Sequence, residues 1–295
     1  MALDAVCFGH YKQGMNNIPF VKMHGLGNDF VVFDGRRDPA MLGLDNASAA
    51  RIADRKTGVG CDQLIVIEPP RDRDADAFMR IRNNDGGEVG ACGNAARCIA
   101  DILMTELQRR DVTIQTVAGL LEANGLDDGR VTVDMGIARL DWRDIPLVEA
   151  VDTNHIPVAL GDLRDPVGVN VGNPHAVFFV ENAERIDIEK LGPVLEHHAM
   201  FPERANIEVC HIISPDRIRM RVWERGVGVT RACGTGACAV GVAAARRGLT
   251  GRKVDIVLDG GELTIEWLPD EHVLMTGPVS TSFSGFLHPS LLGLH

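Results

Sequence analysis

No apolar run in this 295-residue chain approaches the roughly 18 residues that a membrane-spanning helix requires. Basic residues are in deficit. Thirty Lys and Arg stand against 41 Asp and Glu, a net charge of −11 with a pI of about 5.4. No nucleic-acid partner and no anionic-membrane surface is therefore expected, although a few local amides and one arginine suffice for a small carboxylate. Cofactor and metal signatures are missing too. There is no phosphate loop, no dinucleotide glycine fingerprint, no recognisable pyridoxal lysine site, no Cys-x-x-Cys and no His-Glu-x-x-His. The pair Cys92/Cys98 is spaced more widely than the arms of a zinc site, so no metal and no cofactor are expected. The seven cysteines are odd in number and irregularly spaced, which argues against a disulfide framework and for a reducing cytoplasm. Met1 to Asn17 lacks a signal-peptide core, and residues 1–16 read as a poorly ordered extension.

What is present is a duplication. Arg80-Ile81-Arg82-Asn83 through Ala91-Cys92-Gly93-Asn94 aligns without a gap on Arg221-Val222-Trp223-Glu224 through Ala232-Cys233-Gly234-Thr235, at an offset of 141 (233 − 92). Gly27-Asn28 ahead of an apolar run answers Gly172-Asn173 ahead of another, at 145 (173 − 28). Gln63-Leu64-Ile65 answers Asn206-Ile207-Glu208 at 143 (206 − 63). Order and period agree across three markers, and the repeat is too long for a solenoid unit. A chain of this length holds two domains on a prior of ~150 residues each. We expect an N-terminal lobe of 17–135 plus 279–293 and a C-terminal lobe of 136–278. Related by an approximate two-fold, such lobes would set Cys92 and Cys233 opposite each other.

Short strand signals dominate: 18–24, 30–34, 62–67, 76–82, 112–117, 130–134, 168–172, 176–180, 206–213, 217–223, 253–258, 262–267 and 272–276, with Asp-Gly turns between several of them. After Cys92, Ala95, Cys98, Ile99, Ile102 and Leu103 follow helical spacing with one buried stripe. After Cys233, residues 237–245 are apolar all round, as in an enclosed helix. Asp187 to Met200 reads as a more exposed helix interrupted near Gly192-Pro193. The span 141–167 reads as a connection. The fold class expected is α/β (α+β), each lobe a strand-rich shell with one buried helix.

A helix start leaves N–H groups unpaired and carries partial positive charge. Beside it a thiol should ionise more readily, and a carboxylate finds a cradle of amides. Gly93, Asn94, Gly234 and Thr235 would supply those amides. Two such half-sites suit removal of an amino-acid α-proton by one thiolate and its return to the opposite face by the other, still protonated, thiol. Cys98 and Cys238 fall on apolar helix positions and read as core; Cys7, Cys61 and Cys210 lack matched partners and read as structural.

At these residues the chain resembles the diaminopimelate epimerases. The segments are Lys22 to Phe30, Gly58 to Gln63, Arg82 to Gly86, Ala91 to Cys98, Gly172 to His175, Phe201 to Asn206, and Glu224 to Cys238, and the resemblance spans about 18–290. It implies cofactor-independent interconversion of LL- and meso-diaminopimelate in lysine and peptidoglycan biosynthesis, by an enzyme of two pseudo-symmetric lobes, each a barrel-like strand set around a central helix, that is usually a homodimer. It implies Cys92 and Cys233 as the acid–base pair, assisted by His175 and Glu224. It also implies a substrate site lined by Asn28, Gln63, Asn83, Asn173, Asn206, Glu224 and Arg225, with the amides of Gly93, Asn94, Gly234 and Thr235 on the reacting carboxylate. Arg225 suits a bidentate grip on a distant carboxylate. Val229, Ala95 and Phe283 depart from the usual pattern, the last where a tyrosine often joins the dimer contact. Two alternatives stay open: a proline or hydroxyproline racemase, and a thiol-based metal or redox module.

Overall fold

The structure, a computed structural model, describes residues 18–90 and 92–292. They form two compact units: residues up to Val131 together with those from Pro278 onward, and Thr132–Gly277.

In the first unit, β1 (Ile18–Gly25) and β2 (Asn28–Asp34) make a hairpin with Gly25 opposite Asn28. Its two turn residues, Leu26 and Gly27, have φ of 56° and 86°. Such turns match the natural twist of paired strands, and this one delivers Asn28 to the start of β2. β3 (Gln63–Glu68) runs parallel to β2, so the chain must cross over between them, and α1 (Asn46–Ala53) lies in that crossover. β4 (Ala77–Asn83) returns antiparallel with Asn83 opposite Gln63. The short β5 (Glu88–Val89) leads to α2 (Gly93–Leu107). β6 (Asp111–Thr116) then pairs parallel with β4 and antiparallel with β7 (Gly119–Gly125). A strand from the end of the chain, Ser280–Leu287, comes back to pair with β1.

The second unit repeats the plan. β8 (Val131–Ile137) begins at its boundary, and a small hairpin, β9 (Ala159–Leu160) and β10 (Leu163–Arg164), precedes β11 (Val167–Asn170). β11 pairs with β12 (Pro174–Phe179); β13 (Asn206–Ser214) runs parallel to β12 after a crossover that holds α3 (Ile188–Glu196). β14 (Arg217–Glu224) folds back on β13, and β15 (Gly228–Val229) leads to α4 (Gly234–Arg246). β16 (Lys253–Leu258) pairs parallel with β14, followed by β17 (Gly261–Trp267) and β18 (His272–Gly277). β18 also pairs with β8, and Arg139 just beyond β8 bridges Asn170 of β11, so this sheet curls back towards its first strand.

The duplication is legible in strand register. Phe30 faces Gln63 as His175 faces Asn206, offsets of 145 (175 − 30) and 143 (206 − 63). Ala77 faces Ile114 as Ile218 faces Ile256, offsets of 141 (218 − 77) and 142 (256 − 114). Each parallel β4–β6-type pair has its helix inserted behind a cysteine N-cap. α4 is enclosed: every residue from Gly236 to Ala244 is buried, and a Cβ on Gly241 would lie 2.7 Å from Ile265 Cγ2. Glycine there lets the helix press directly on β17.

Several sequence expectations need correction. α3 is not interrupted at Gly192-Pro193. It runs through Pro193 to Glu196, four residues short of the expected end at Met200, and glycine at 192 lets it pack flush on the Trp223 indole, where a Cβ would meet Cγ at 2.5 Å. The span 141–167 is more than a connection, since Ile145, Leu147, Ile156, Val158 and Leu163 join the core of the second unit. α1, β7 and the returning strand Ser280–Leu287 were not anticipated. β7 and the returning strand are mostly exposed, so neither carries the buried alternation that betrays a strand. Residues 1–16 lie outside the described residues.

Candidate active site

In the first unit the polar residues form a connected chain. Cys92 is the N-cap of α2 in extended conformation, partly exposed, with Sγ 3.8 Å from Asn28 Oδ1. Asn28 Oδ1 also accepts from Asn94 Nδ2 (3.3 Å), and Asn28 Nδ2 donates to Asp62 (3.1 Å). Behind them Arg97, fully buried, donates to Asn94 Oδ1 at 3.0 Å. Across the β3–β4 pair Gln63 Nε2 donates to Asn83 Oδ1 (3.1 Å), and among the described residues the buried Gln63 Oε1 has no partner. The first turn of α2 turns the N–H groups of Gly93 and Asn94 outward, since a helix cannot bond its own first donors.

The second unit presents the matching set with more charge. Cys233 is the N-cap of α4; its Sγ accepts from Gly236 N at 3.4 Å and lies 3.6 Å from Thr235 Oγ1. Gly234 and Thr235 supply the open N–H groups. Glu224, at the end of β14, accepts from Thr230 Oγ1 and is hydrogen-bonded to Cys233. His175 on β12 is fully buried, with Nδ1 2.7 Å from Glu208 Oε1 and Nε2 2.8 Å from Asn173 Oδ1. Asn206 is buried and committed to the backbone: Nδ2 donates to Pro174 O and Oδ1 accepts from Arg225 N, each at 2.9 Å. It therefore holds the turn that carries Arg225. The Arg225 guanidinium is exposed, donates to Glu203 O (3.0 Å), and borders an open cavity of about 360 Å³ shared with Arg139, Arg143, Asn170 and Asn173.

The thiol chemistry departs from expectation at one point. A helix start was expected to lower the thiol pKa, yet Cys233 is pushed well above its usual value. Burial is the largest cause; the carboxylates of Glu224 and Glu208 act in the same direction. The opposing bonds from Thr235 and Gly236 are too weak to offset the loss of water around a residue only 5% exposed. Cys233 is thus a protonated thiol here. Burial likewise raises the pKa of Glu224, against Thr230, the charge of His175 and the bond to Cys233.

Each residue expected to line the site falls in one of these two clusters, Asn28, Gln63, Asn83, Cys92, Gly93 and Asn94 in the first unit and the remainder in the second. Sequence reasoning missed Glu208, Glu196, Asp62 and Arg97. Two of them carried a signal: Glu208 interrupts an apolar strand run, and Arg97 interrupts an apolar helix stripe. Cys98, Cys210 and Cys238 are core residues, with burial raising the Cys98 thiol to about 12. Among the described residues no three His, Cys, Asp or Glu side chains converge as a metal ion would require, and no helix is long and apolar enough to cross a membrane.

Comparison with known proteins adds the following. The family model described as diaminopimelate epimerase matches residues 20–140 and 167–282. A diaminopimelate epimerase of Rhodospirillum centenum is 62% identical over 273 residues, covering 92% of this chain and 93% of its own. One from Acidiphilium cryptum is 56% identical over 274 residues, covering 93% and 98%. Among solved structures, a hydroxyproline epimerase from Agrobacterium vitis with bound trans-4-hydroxy-L-proline aligns with a TM-score of 0.65 over 96% of each chain. Its 16% identity makes that a likeness of fold alone.

Proposed function

The chain belongs to the diaminopimelate epimerase family, and from that premise we propose that it interconverts LL- and meso-2,6-diaminopimelate by cofactor-independent exchange of one α-proton between two cysteines. The observation that supports this best is the pair of helices that start on Cys92 and Cys233 at equivalent places in a duplicated unit. Cys92, as thiolate, takes the α-proton from one face; its S–H bond forms as the C–H bond breaks. The electron pair passes into the substrate carboxylate, where the N–H groups of Gly93, Asn94, Gly234 and Thr235 stabilise it. Cys233, held protonated by burial, gives its proton to the opposite face and becomes the thiolate. The reverse reaction exchanges the two roles.

Asn28 and Asn94 orient Cys92; Glu224 and His175 support Cys233. Gln63, Asn83, Asn173 and Arg225 recognise the far amino-acid head, Arg225 by a paired contact to its carboxylate, and Asn206 holds the turn that presents Arg225. We further propose that the enzyme works as a homodimer in the cytoplasm, in lysine and peptidoglycan biosynthesis.

The test is turnover of LL-diaminopimelate in D₂O. Wild type should place deuterium at one α-carbon, and Cys92→Ser and Cys233→Ser should each lose at least ~10² in kcat, as expected for removal of a positioned acid–base group. A wild type that racemises proline and leaves diaminopimelate unchanged would overturn the substrate; unchanged turnover in either serine variant would overturn the two-thiol mechanism.

A further inference from the structure

Glu208 takes no part in the steps above, yet it is a costly side chain to bury. It lies on β13 with no exposed surface, and among the described residues its Oε2 has no hydrogen-bond partner. A buried polar atom left bare is destabilising, more so if charged, whereas an apolar residue of that size carries no such penalty. A carboxylate kept in such a place calls for a reason other than stability.

The surroundings supply one. Glu208 Oε1 is 2.7 Å from His175 Nδ1, and the other ring nitrogen, Nε2, is 2.8 Å from Asn173 Oδ1. A carboxylate can only accept from the ring, so Nδ1 carries the hydrogen that faces Glu208. The same Oε1 would lie 2.9 Å from a Cβ on Gly236, a point that is also 3.2 Å from Cys233 Sγ and 2.8 Å from Met220 Cε. Glu208, His175 and Cys233 therefore meet beneath the first turn of α4, where glycine leaves room for the carboxylate. The charge of His175 in turn acts on Glu224, which is bonded to Cys233.

We propose that Glu208 is a positioning residue: by accepting from His175 Nδ1 it fixes the orientation of the ring, and so the surroundings in which Cys233 and Glu224 work. The fixed histidine is the device by which a buried carboxylate commonly sets tautomer and orientation. The positioning role stands on geometry; only its kinetic consequence rests on the reaction proposed above.

The test is Glu208→Gln, which keeps shape and an acceptor oxygen but removes the charge. Side-chain ¹⁵N signals of His175, assigned by their loss in His175→Gln, should report an Nδ1–H held in a hydrogen bond in wild type and should move in Glu208→Gln. The backbone amide spectrum checks that the variant is folded. kcat for diaminopimelate should fall about 10–100-fold, the usual effect of losing such a supporting group, with KM changed less than about threefold. His175 signals unmoved in Glu208→Gln would overturn the positioning role whatever the substrate is. Moved signals with unchanged kcat would overturn its bearing on turnover. Moved signals in a protein whose wild type ignores diaminopimelate would leave the positioning role standing and overturn the substrate instead.

Discussion

Glu196 offers a quantitative trial of how the second unit holds its polar corner. Only 3% exposed, it ends α3 and accepts two bonds: Trp223 Nε1 to Oε2 at 2.7 Å and Gly226 N to Oε1 at 3.0 Å. Those two donors bracket Glu224 and Arg225, while Asn206 takes the Arg225 N–H between them. Arg204 adds a looser ion pair at 3.7 Å. A hydrogen bond to a charged acceptor is worth about 1.5–3 kcal/mol, so the two sum to about 3–6 kcal/mol. Gly226 is exposed and can exchange its lost partner for water, which removes about half of one bond. Glu196→Ala should therefore lose about 2–4 kcal/mol, a large share of the roughly 5–15 kcal/mol that holds most domains together. Glu196→Gln, which keeps one acceptor, should lose about half as much. Urea unfolding at neutral pH measures both, and an unchanged m-value would show that the native state alone is affected. Freed at both sides, the 224–225 turn should raise KM for diaminopimelate more than it lowers kcat. A loss under about 1 kcal/mol in Glu196→Ala, with KM unchanged, would refute the assigned bracing role.

Two further perturbations test separate features. Gly236→Ala should destabilise by about 1–2 kcal/mol, because overpacking against Met220, Glu208 and Cys233 outweighs the roughly 1 kcal/mol that alanine brings to a helix; thermal denaturation that rises instead would show the pocket can yield. Burial lifts Cys61 from 9.0 to about 11, so its thiol stays protonated in the fold where the unfolded chain ionises. Its contribution is complete below pH 9 and should decline by about 3 kcal/mol as pH rises to about 11; stability of Cys61→Ala measured over that window should fall less steeply than wild type.

Much of this was readable from residues alone, and the reasons are physical. The α2 stripe of Ala95, Cys98, Ile99 and Ile102 and the all-apolar α4 announce their burial through period and composition. The repeat predicted equivalence, and the strand registers carry it. What stayed hidden depends on neighbours distant in sequence. Nothing local reveals that Gly192 is seated on Trp223, or that water is excluded around Cys233 strongly enough to reverse the effect of the helix start. Asn206 was expected to face a ligand, yet both ends of its amide engage the backbone, a commitment that only the folded turn decides. Glu208 was visible as an acid in an apolar strand, but its meaning required His175 to be brought beside it.

The head of α2 has one last implication. Serine, threonine, asparagine and aspartate stabilise that place most, yet Cys92 makes no side-chain capping bond there. An oxygen in place of the sulfur would satisfy an orphan donor and add roughly 1 kcal/mol. The Cys92→Ser protein should thus outlast wild type in a denaturant series even as it stops turning over, so its inactivity could not be blamed on collapse. At this position selection for robustness and selection for reactivity run in opposite directions.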